Sequence, residues 1–190
     1  MDLEELIEKC KIYNSYEGRA SFYGQAIEIV EQYPVQAAII ILATWNVARF
    51  RYVVSEPKNL HDLIDAVHAC LPILEKLKGK SFAETNFDEI ENEVKQLYST
   101  LSKVKGAEYT GGSKVLHILN RNLFVIWDSY IRKKYGYNVT ANDYFRFLKY
   151  MQSRFAGIEW TDSNKTLAKA IDEYNYVTIS VPEVEKIRSK

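Results

Sequence analysis

The sequence has too few cysteines for a disulfide framework and no apolar run long enough to span a membrane. Its two cysteines, Cys10 and Cys70, cannot supply a four-cysteine metal site, and both lie on the apolar side of a predicted helix, as small buried side chains do. The longest apolar run, Ala37 to Ala43, is far shorter than the roughly 20 residues of a membrane span. The acidic, amphipathic N-terminus is unlike a secretory signal. These absences predict a soluble, cytoplasmic protein without a membrane partner.

Neither sign of charge is in excess over the whole chain. Lys and Arg number 25, as do Asp and Glu, so no global basic field draws the protein to nucleic acid or acidic lipid. Charge is nevertheless uneven along the sequence. Residues 101–136 carry seven basic and two acidic side chains, a net +5, whereas residues 1–33 carry three and seven, a net −4. If the positive segment forms one face, that face can meet phosphates.

Apolar residues recur at helical spacing along most of the chain, and no segment shows sustained strict alternation. The sequence therefore predicts an all-α fold of about eight to nine helices. The most apolar segment, residues 35–54, should form the central buried helix. Short connections favour a single helical domain spanning residues 1–190, which can divide into two lobes around a cleft. The predicted lobes are residues 1–33 with 137–190, and residues 34–136.

Single residues with strong local preferences predict several helix ends. They are Gly18 at the end of the first helix, Pro34 at the start of the third, Asn59 as the cap of the fourth, Pro72 as a kink or break in it, Thr140 at a later helix start, and Asp162 or Ser163 as the last cap. The polar tail is expected to fray beyond Pro182.

The most distinctive stretch runs from Tyr109 to Tyr137, YTGGSKVLHILNRNLFVIWDSYIRKKYGY. Its first part, residues 111–114, predicts a tight glycine turn that opens a short apolar helix. Residues 120–122, Asn-Arg-Asn, should break that helix. The apolar run 124–127 and Asp128 then lead into a second helix with three basic residues at its end.

Lys114 admits two interpretations in this arrangement. A helix N-terminus disfavours a protonated ammonium, and a pKa lowered in that way suits an amine nucleophile for Schiff-base chemistry. The exposed backbone N–H groups of the turn would also favour a phosphate there. The alternative is a solvated lysine that follows a structural glycine pair.

Asp128 also has two roles that are compatible with each other. As an N-cap, its carboxylate would accept a backbone N–H from Tyr130 or Ile131. At the mouth of a pocket, the same carboxylate could deprotonate an amine or stabilise a developing cation.

The run YTGGSK, followed by an apolar helix and VIWDSYIRKKYG, resembles the helix-hairpin-helix DNA glycosylase superfamily, which includes endonuclease III and 8-oxoguanine glycosylases. The resemblance covers about thirty residues and implies a helix-hairpin-helix-like element near residues 105–120. The stretch SKVLHILNRNLFVIWD is also similar to a signature in small prokaryotic proteins of unknown function, and this second similarity implies no activity.

The glycosylase resemblance implies recognition or excision of a damaged base in duplex DNA, with abasic-site lyase activity if the protein is bifunctional. Lys114 would be the Schiff-base nucleophile and Asp128 the activating carboxylate. The DNA backbone would be held by Gly111, Gly112, Ser113, Arg121, Arg132, Lys133 and Lys134.

Four further residues are candidates for the base pocket: Trp45, Asn46, His117 and Trp127. Trp45 and Asn46 lie at the exit of the buried helix, where aromatic side chains can stack on a flipped base. His117 shares a helix face with Lys114 and can relay protons, although a buried histidine bonded to the backbone has the same spacing.

The alternative function is that of a non-catalytic helical protein that binds a protein partner or a small ligand. In that case Trp127 anchors the core and Asp128 only caps a helix. His61, Asp65 and His68 have spacing that would place three metal ligands on one helix, but positions i and i+7 lie about 10 Å apart along its axis. No metal site and no cofactor are predicted.

Overall fold

The computed structural model of the chain describes residues 2–16 and 20–189, and no strand occurs in these ranges. The predicted all-α fold is confirmed. The α-helical segments are α1 (Leu3–Tyr16), α2 (Ala20–Ile29), α3 (Pro34–Trp45), α4 (Val47–Val53), α5 (Pro57–Lys76), α6 (Glu91–Ser102), α7 (Glu108–Leu119), α8 (Ser129–Lys134), α9 (Ala141–Arg154), α10 (Leu167–Asn175) and α11 (Val181–Arg188). A 3₁₀ turn, Phe87–Ile90, precedes α6, and a π-helical segment, Tyr176–Ser180, joins α10 to α11. The predicted end of the first helix at Gly18 lies outside the described residues.

Several predicted helix starts are confirmed. Pro34 is the first residue of α3, where its fixed φ suits the first turn. Thr140 caps α9, because its hydroxyl accepts the backbone N–H of Asp143 at 3.1 Å. The predicted break after the apolar helix is also present, since α7 ends at Leu119 and Asn120 follows as its C-cap.

Other local predictions fail, because contacts outside the local sequence pattern decide the outcome at Asn46 and Asn59. The segment 35–54 is two helices, interrupted at Asn46, whose side chain bonds the backbone of Gly106. Asn59 does not cap α5, which begins at Pro57; Asn59 is buried, and its amide donates to the carbonyl of Tyr52 at 2.7 Å. The same helix continues through Pro72, so the predicted break is absent, whereas the alternative of a kink stays a prediction.

The C-terminal part of the chain is more ordered in its secondary structure than the sequence predicts. Thr166, not Asp162 or Ser163, caps α10 by accepting the N–H of Lys169 at 3.2 Å. The expected fraying beyond Pro182 is wrong, since α11 extends to Arg188. The π-helical segment joins α10 to α11 and packs against α1 and α8.

One large apolar core and one small cluster hold the helices together. The large core includes Leu6, Leu42, Tyr144 and Ile171, so it draws on both of the predicted lobes. Both cysteines are buried, as predicted. The small cluster packs Ala26 of α2 with side chains of α3 and α7. Among the described helices, none combines the length and the apolar character needed to cross a membrane.

Candidate functional site

The glycine pair of the distinctive stretch is not a turn. Helix α7 begins at Glu108, so Gly111 and Gly112 lie inside it, and the Gly111 N–H donates to the carbonyl of Ala107 at 2.9 Å. A Cβ on Gly111 would meet Leu42 Cδ2 at 2.9 Å, and one on Gly112 would meet the Ser102 backbone nitrogen at 3.2 Å. The two glycines therefore allow α3 and α6 to approach α7 closely. The predicted tight turn is wrong, and the helix-hairpin-helix-like element near 105–120 is not confirmed.

Ser113 has a structural role next to this glycine pair. It is fully buried, and its hydroxyl donates to the carbonyls of Thr110 at 2.9 Å and Trp127 at 3.1 Å. The same oxygen accepts the Trp127 N–H at 3.3 Å. Ser113 thus joins α7 to the extended segment that leads into α8.

Lys114 is the seventh residue of α7 and not part of its first turn. The positive end of the helix dipole acts only over the first turn, so it does not act on this amine. The side chain is half-buried, and its ammonium donates to the backbone carbonyl of Trp45.

Asp128 is the N-cap of α8, as predicted. One carboxylate oxygen accepts the N–H groups of Tyr130 and Ile131, each at 2.8 Å. The other oxygen accepts the hydroxyl of Ser180 at 2.5 Å. Through this second contact Asp128 also fastens the π-helical segment to the start of α8.

Lys114 and Asp128 line one cavity of about 110 Å³, which we call the Lys114 cavity. Its other lining residues come from α1, α3, α8, α10, the π-helical segment and the extended segment that leads into α8. They are Tyr13, Trp45, Ile131, Asp172, Tyr176 and Ile126. The structure therefore brings together both predicted catalytic residues and one predicted pocket residue, Trp45. Asn46, His117 and Trp127 are not among its lining residues.

Trp45 contributes an unusual polar atom to this region. Its indole nitrogen is buried and, among the described residues, is the single buried side-chain nitrogen or oxygen without a hydrogen-bond partner. The ring stacks on Tyr23 with a centroid separation of 5.1 Å. A buried donor without an acceptor costs about 1–3 kcal/mol, so an acceptor that reached this nitrogen would be favourable.

His117 is fully buried and does not line the cavity. Its Nδ1–H donates to the carbonyl of Phe124 at 2.6 Å, which leaves Nε2 to accept the hydroxyl of Tyr23 at 2.7 Å. Burial disfavours the charged imidazolium and lowers the pKa of His117 to about 3. This histidine is therefore neutral and bonded to the backbone, the second of the two interpretations offered by the sequence.

The two remaining predicted pocket residues, Asn46 and Trp127, make contacts within the protein and have structural roles. Asn46 donates its amide to the Gly106 carbonyl at 2.9 Å and lies beside Gly111, where an added Cβ would meet its Nδ2 at 2.8 Å. Trp127 lies in the large core, where its indole N–H donates to the Tyr98 hydroxyl at 3.3 Å.

The predicted DNA-backbone residues lie in different surroundings. Arg121 lines a second cavity, away from the Lys114 cavity. Arg132 donates to the Tyr137 carbonyl at 3.0 Å, while Lys133 and Lys134 are exposed on α8.

A buried group of charges on α10 was missed from the sequence. Lys169 is 3% exposed, and its ammonium lies 2.6 Å from Asp172 and 3.6 Å from Glu173. Glu173 is also paired with Lys165. Burial opposes the charge on Lys169, but the carboxylate of Asp172 and then the Tyr13 hydroxyl outweigh it and raise the pKa of Lys169 well above its usual range.

The ammonium of Lys169 also lies over three aromatic rings, at 4.5, 5.3 and 4.6 Å from the centroids of Tyr13, Tyr23 and Trp45. The sequence feature that indicates this group is the spacing of Lys169, Asp172 and Glu173 at i, i+3 and i+4. That spacing places one cation beside two carboxylates on a single helix face. Two of the rings, Tyr13 and Trp45, line the Lys114 cavity as well.

The chain matches no family model, no curated protein and no solved structure. The site must therefore be interpreted from its own chemistry. His61, Asp65 and His68 are exposed on α5, and nowhere in residues 2–16 and 20–189 do three His, Cys, Asp or Glu side chains form a group able to hold a metal ion.

Proposed function

We propose that the protein binds a small polar molecule in the Lys114 cavity without transforming it. The observation that carries this proposal is the buried indole N–H of Trp45, which has no acceptor among the described residues and belongs to a residue that lines the cavity. If the Trp45 ring turns so that its N–H faces the cavity, a ligand oxygen there would satisfy that donor, and the gain would be large because the group is already desolvated. The surrounding tyrosines and aspartates supply further polar contacts.

The size of the cavity supports a small ligand. Its volume of about 110 Å³ is smaller than that of an engineered cavity of about 150 Å³ that holds benzene. A molecule the size of acetate, glycine or urea fits this space better than a nucleobase. Ile126 and Ile131 give the cavity an apolar side, which is typical of small-molecule sites.

The two candidate catalytic groups already have structural partners, which supports binding over catalysis. Asp128 accepts three hydrogen bonds from α8 and Ser180. Lys114 donates to the carbonyl of Trp45, so its ammonium helps to fix the end of α3. The adjoining π-helical segment contributes Tyr176, and such segments are frequent at functional sites.

The three tryptophans provide a direct test by two-dimensional ¹⁵N–¹H spectroscopy of the indole N–H groups. Trp45 lies at the cavity, whereas the N–H groups of Trp127 and Trp160 already bond protein oxygens at 3.3 and 2.6 Å. Acetate, glycine and urea are titrated in turn. We expect at least one of them to move the Trp45 signal saturably and to leave the Trp127 signal in place. A Trp45 signal that none of the three moves would count against the proposal.

A second candidate function is glycosylase-like recognition or excision of a damaged base in DNA. It is favoured by one specific observation, that Lys114 from α7 and Asp128 at the start of α8 line the same cavity. In this function the Lys114 amine would add to the C1′ aldehyde of an opened abasic sugar, and loss of water would give an imine. Asp128 would accept the proton released from the amine.

Borohydride trapping on an abasic duplex tests this second candidate. Hydride would reduce the imine to a stable secondary amine and leave a covalent protein–DNA product. The product should form with the parent protein and with the control Lys58→Gln, which changes an exposed lysine on α5. It should be absent with Lys114→Gln. Absence of trapping in all three proteins would remove this candidate and leave ligand binding.

A further inference from the structure

A second cavity, of about 450 Å³, lies at the opposite end of α10 from Asp172. We call it the Arg121 cavity. It forms where residues 81–84, 121–122 and 158–167 meet, and its volume is within the usual range for small-molecule pockets. The lining residues used below are Phe82, Arg121, Ile158, Trp160, Lys165 and Leu167.

Hydrogen bonds between these segments hold the cavity in shape. The Phe82 N–H donates to the carbonyl of Asn122 at 2.8 Å. The Thr166 hydroxyl donates to the carbonyl of Arg121 at 2.7 Å. The indole N–H of Trp160 donates to the carbonyl of Lys165 at 2.6 Å. The first two contacts join different segments of the wall and the third holds residues 158–167 in shape, so a ligand would enter a site that is already assembled.

Arg121 is the cation that this cavity offers to a ligand. Its side chain is half-buried, and its guanidinium makes no hydrogen bond and no ion pair with any other side chain in the described ranges. Lys165, the other cation in the lining, forms an ion pair with the buried carboxylate of Glu173. A guanidinium presents a planar pair of donors that matches a carboxylate in bidentate geometry.

The remainder of the wall is suited to an apolar or aromatic body. Phe82, Ile158 and Leu167 contribute apolar surface. Trp160 is half-buried, and because its N–H is already bonded, its ring surface is what remains for a ligand. Aromatic groups stack favourably on such a ring.

Two carboxylates at the rim restrict the charge of the ligand. Glu84 accepts the Ser81 hydroxyl at 3.0 Å, and Asp162 accepts the Asn164 N–H at 2.8 Å, so both are held close to the cavity. A dianionic phosphate would meet two repulsive charges and one unpaired cation. A single carboxylate meets Arg121 with less repulsion.

We infer that the Arg121 cavity binds a small aromatic carboxylate, with the carboxylate on the Arg121 guanidinium and the ring against Trp160. This site is separate from the Lys114 cavity and does not depend on the function proposed for it.

The test compares benzoate with benzamide, which has nearly the same shape and no charge, in the indole N–H experiment. We expect benzoate to move the Trp160 signal saturably and to leave the Trp45 signal in place. Benzamide should bind about tenfold more weakly or worse, because it loses the charge-assisted pair. Arg121→Gln should weaken benzoate binding by a similar factor, whereas Arg51→Gln, at an exposed arginine on α4, should not.

Three results would overturn the inference. The first is equal affinity for benzoate and benzamide. The second is an Arg121→Gln variant that binds benzoate as tightly as the parent protein, while its Trp127 signal shows that the core is intact. The third is a Trp160 signal that benzoate does not move. Movement of the Trp45 signal alone would assign benzoate to the Lys114 cavity, which would overturn this inference and support the function proposed above.

Discussion

Replacement of Lys169 by methionine should lower the free energy of unfolding by about 3–5 kcal/mol, the cost expected when one partner of a buried ion pair is removed. Methionine keeps most of the length and apolar volume of lysine, so the change removes the ammonium and little else. The ammonium lies 2.6 Å from Asp172 and 3.6 Å from Glu173, and it is 3% exposed. Water therefore cannot replace it.

The two carboxylates should contribute unequally to this loss. Glu173 keeps its pair with Lys165 when Lys169 is changed. Asp172 loses the single cation paired with it in the described residues and remains buried. The contacts of the ammonium with three aromatic rings add about 0.5–2 kcal/mol each, part of which a methionine sulfur recovers by its own contacts with the rings.

Urea unfolding at pH 7, followed by far-ultraviolet circular dichroism, measures the effect. The double variant Lys169→Met/Asp172→Asn removes both charges and should recover much of the loss, because no unpaired buried ion remains. Lys169 has a raised pKa, so its contribution is complete below the ordinary lysine value of 10.5 and is lost only as pH rises through the higher folded-state value. A cost below about 1 kcal/mol for Lys169→Met would refute the reasoning, and so would a double variant as unstable as the sum of the single variants.

Three other predictions concern packing, capping and protonation. Gly111→Ala should destabilise the protein by about 1–3 kcal/mol in urea unfolding, because the new Cβ meets side chains at 2.8 and 2.9 Å; Gly24→Ala, with nothing within 4 Å, should instead stabilise it by up to about 1 kcal/mol. Asp128→Ala should cost about 1–2 kcal/mol through loss of the α8 cap and should make a further Ser180→Ala change nearly neutral in the same assay. The pKa of His117, about 3 against an ordinary 6.5, means that the unfolded state takes up its proton first. Stability should therefore fall by up to about 1.4 kcal/mol per unit as pH drops from 6.5 towards 3, while the His117 proton resonances stay constant between pH 8 and 4.

Each of these three predictions has a contradicting result. Equal effects of the two alanine substitutions would show that Gly111 is not a packing contact. Additive losses at Asp128 and Ser180 would show that their hydrogen bond carries no free energy. A His117 resonance that titrates near pH 6 would show that the imidazole is accessible to protons in the folded state.

Features that depend only on neighbouring residues were predictable from the sequence. Pro34, Asp128 and Thr140 mark helix starts because the steric and hydrogen-bonding preferences behind them act within a single turn. The all-α class followed in the same way from apolar spacing.

The role of a glycine is harder to predict from sequence, because the absence of a Cβ permits either a positive φ or a close contact with another segment. At Gly106 it permits a positive φ of 93° in a turn. At Gly111 it permits close contact with Leu42, a residue 69 positions earlier in the chain, and no local pattern reveals that neighbour. The turn was therefore placed about five residues too late.

The buried charges of α10 could not be predicted by periodicity, which assigns charged residues to the solvent face. Lys169 and Asp172 are buried because they neutralise each other and because aromatic rings from three other helices surround the ammonium. That environment exists only after the helices have packed. The Lys114 cavity could not be predicted for the same reason, because its lining comes from seven segments of the chain.

The π-helical segment makes the number of residues between α10 and α11 a structural requirement. A wide turn contains one more residue than an α-helical turn, and each residue of an α-helix rotates the chain by about 100°. Deletion of one residue from Tyr176–Ser180 would restore regular α-helical geometry and turn all of α11 to a different face. It would also carry Ser180 away from Asp128. In this region a change in chain length should be less well tolerated than a change in side chain.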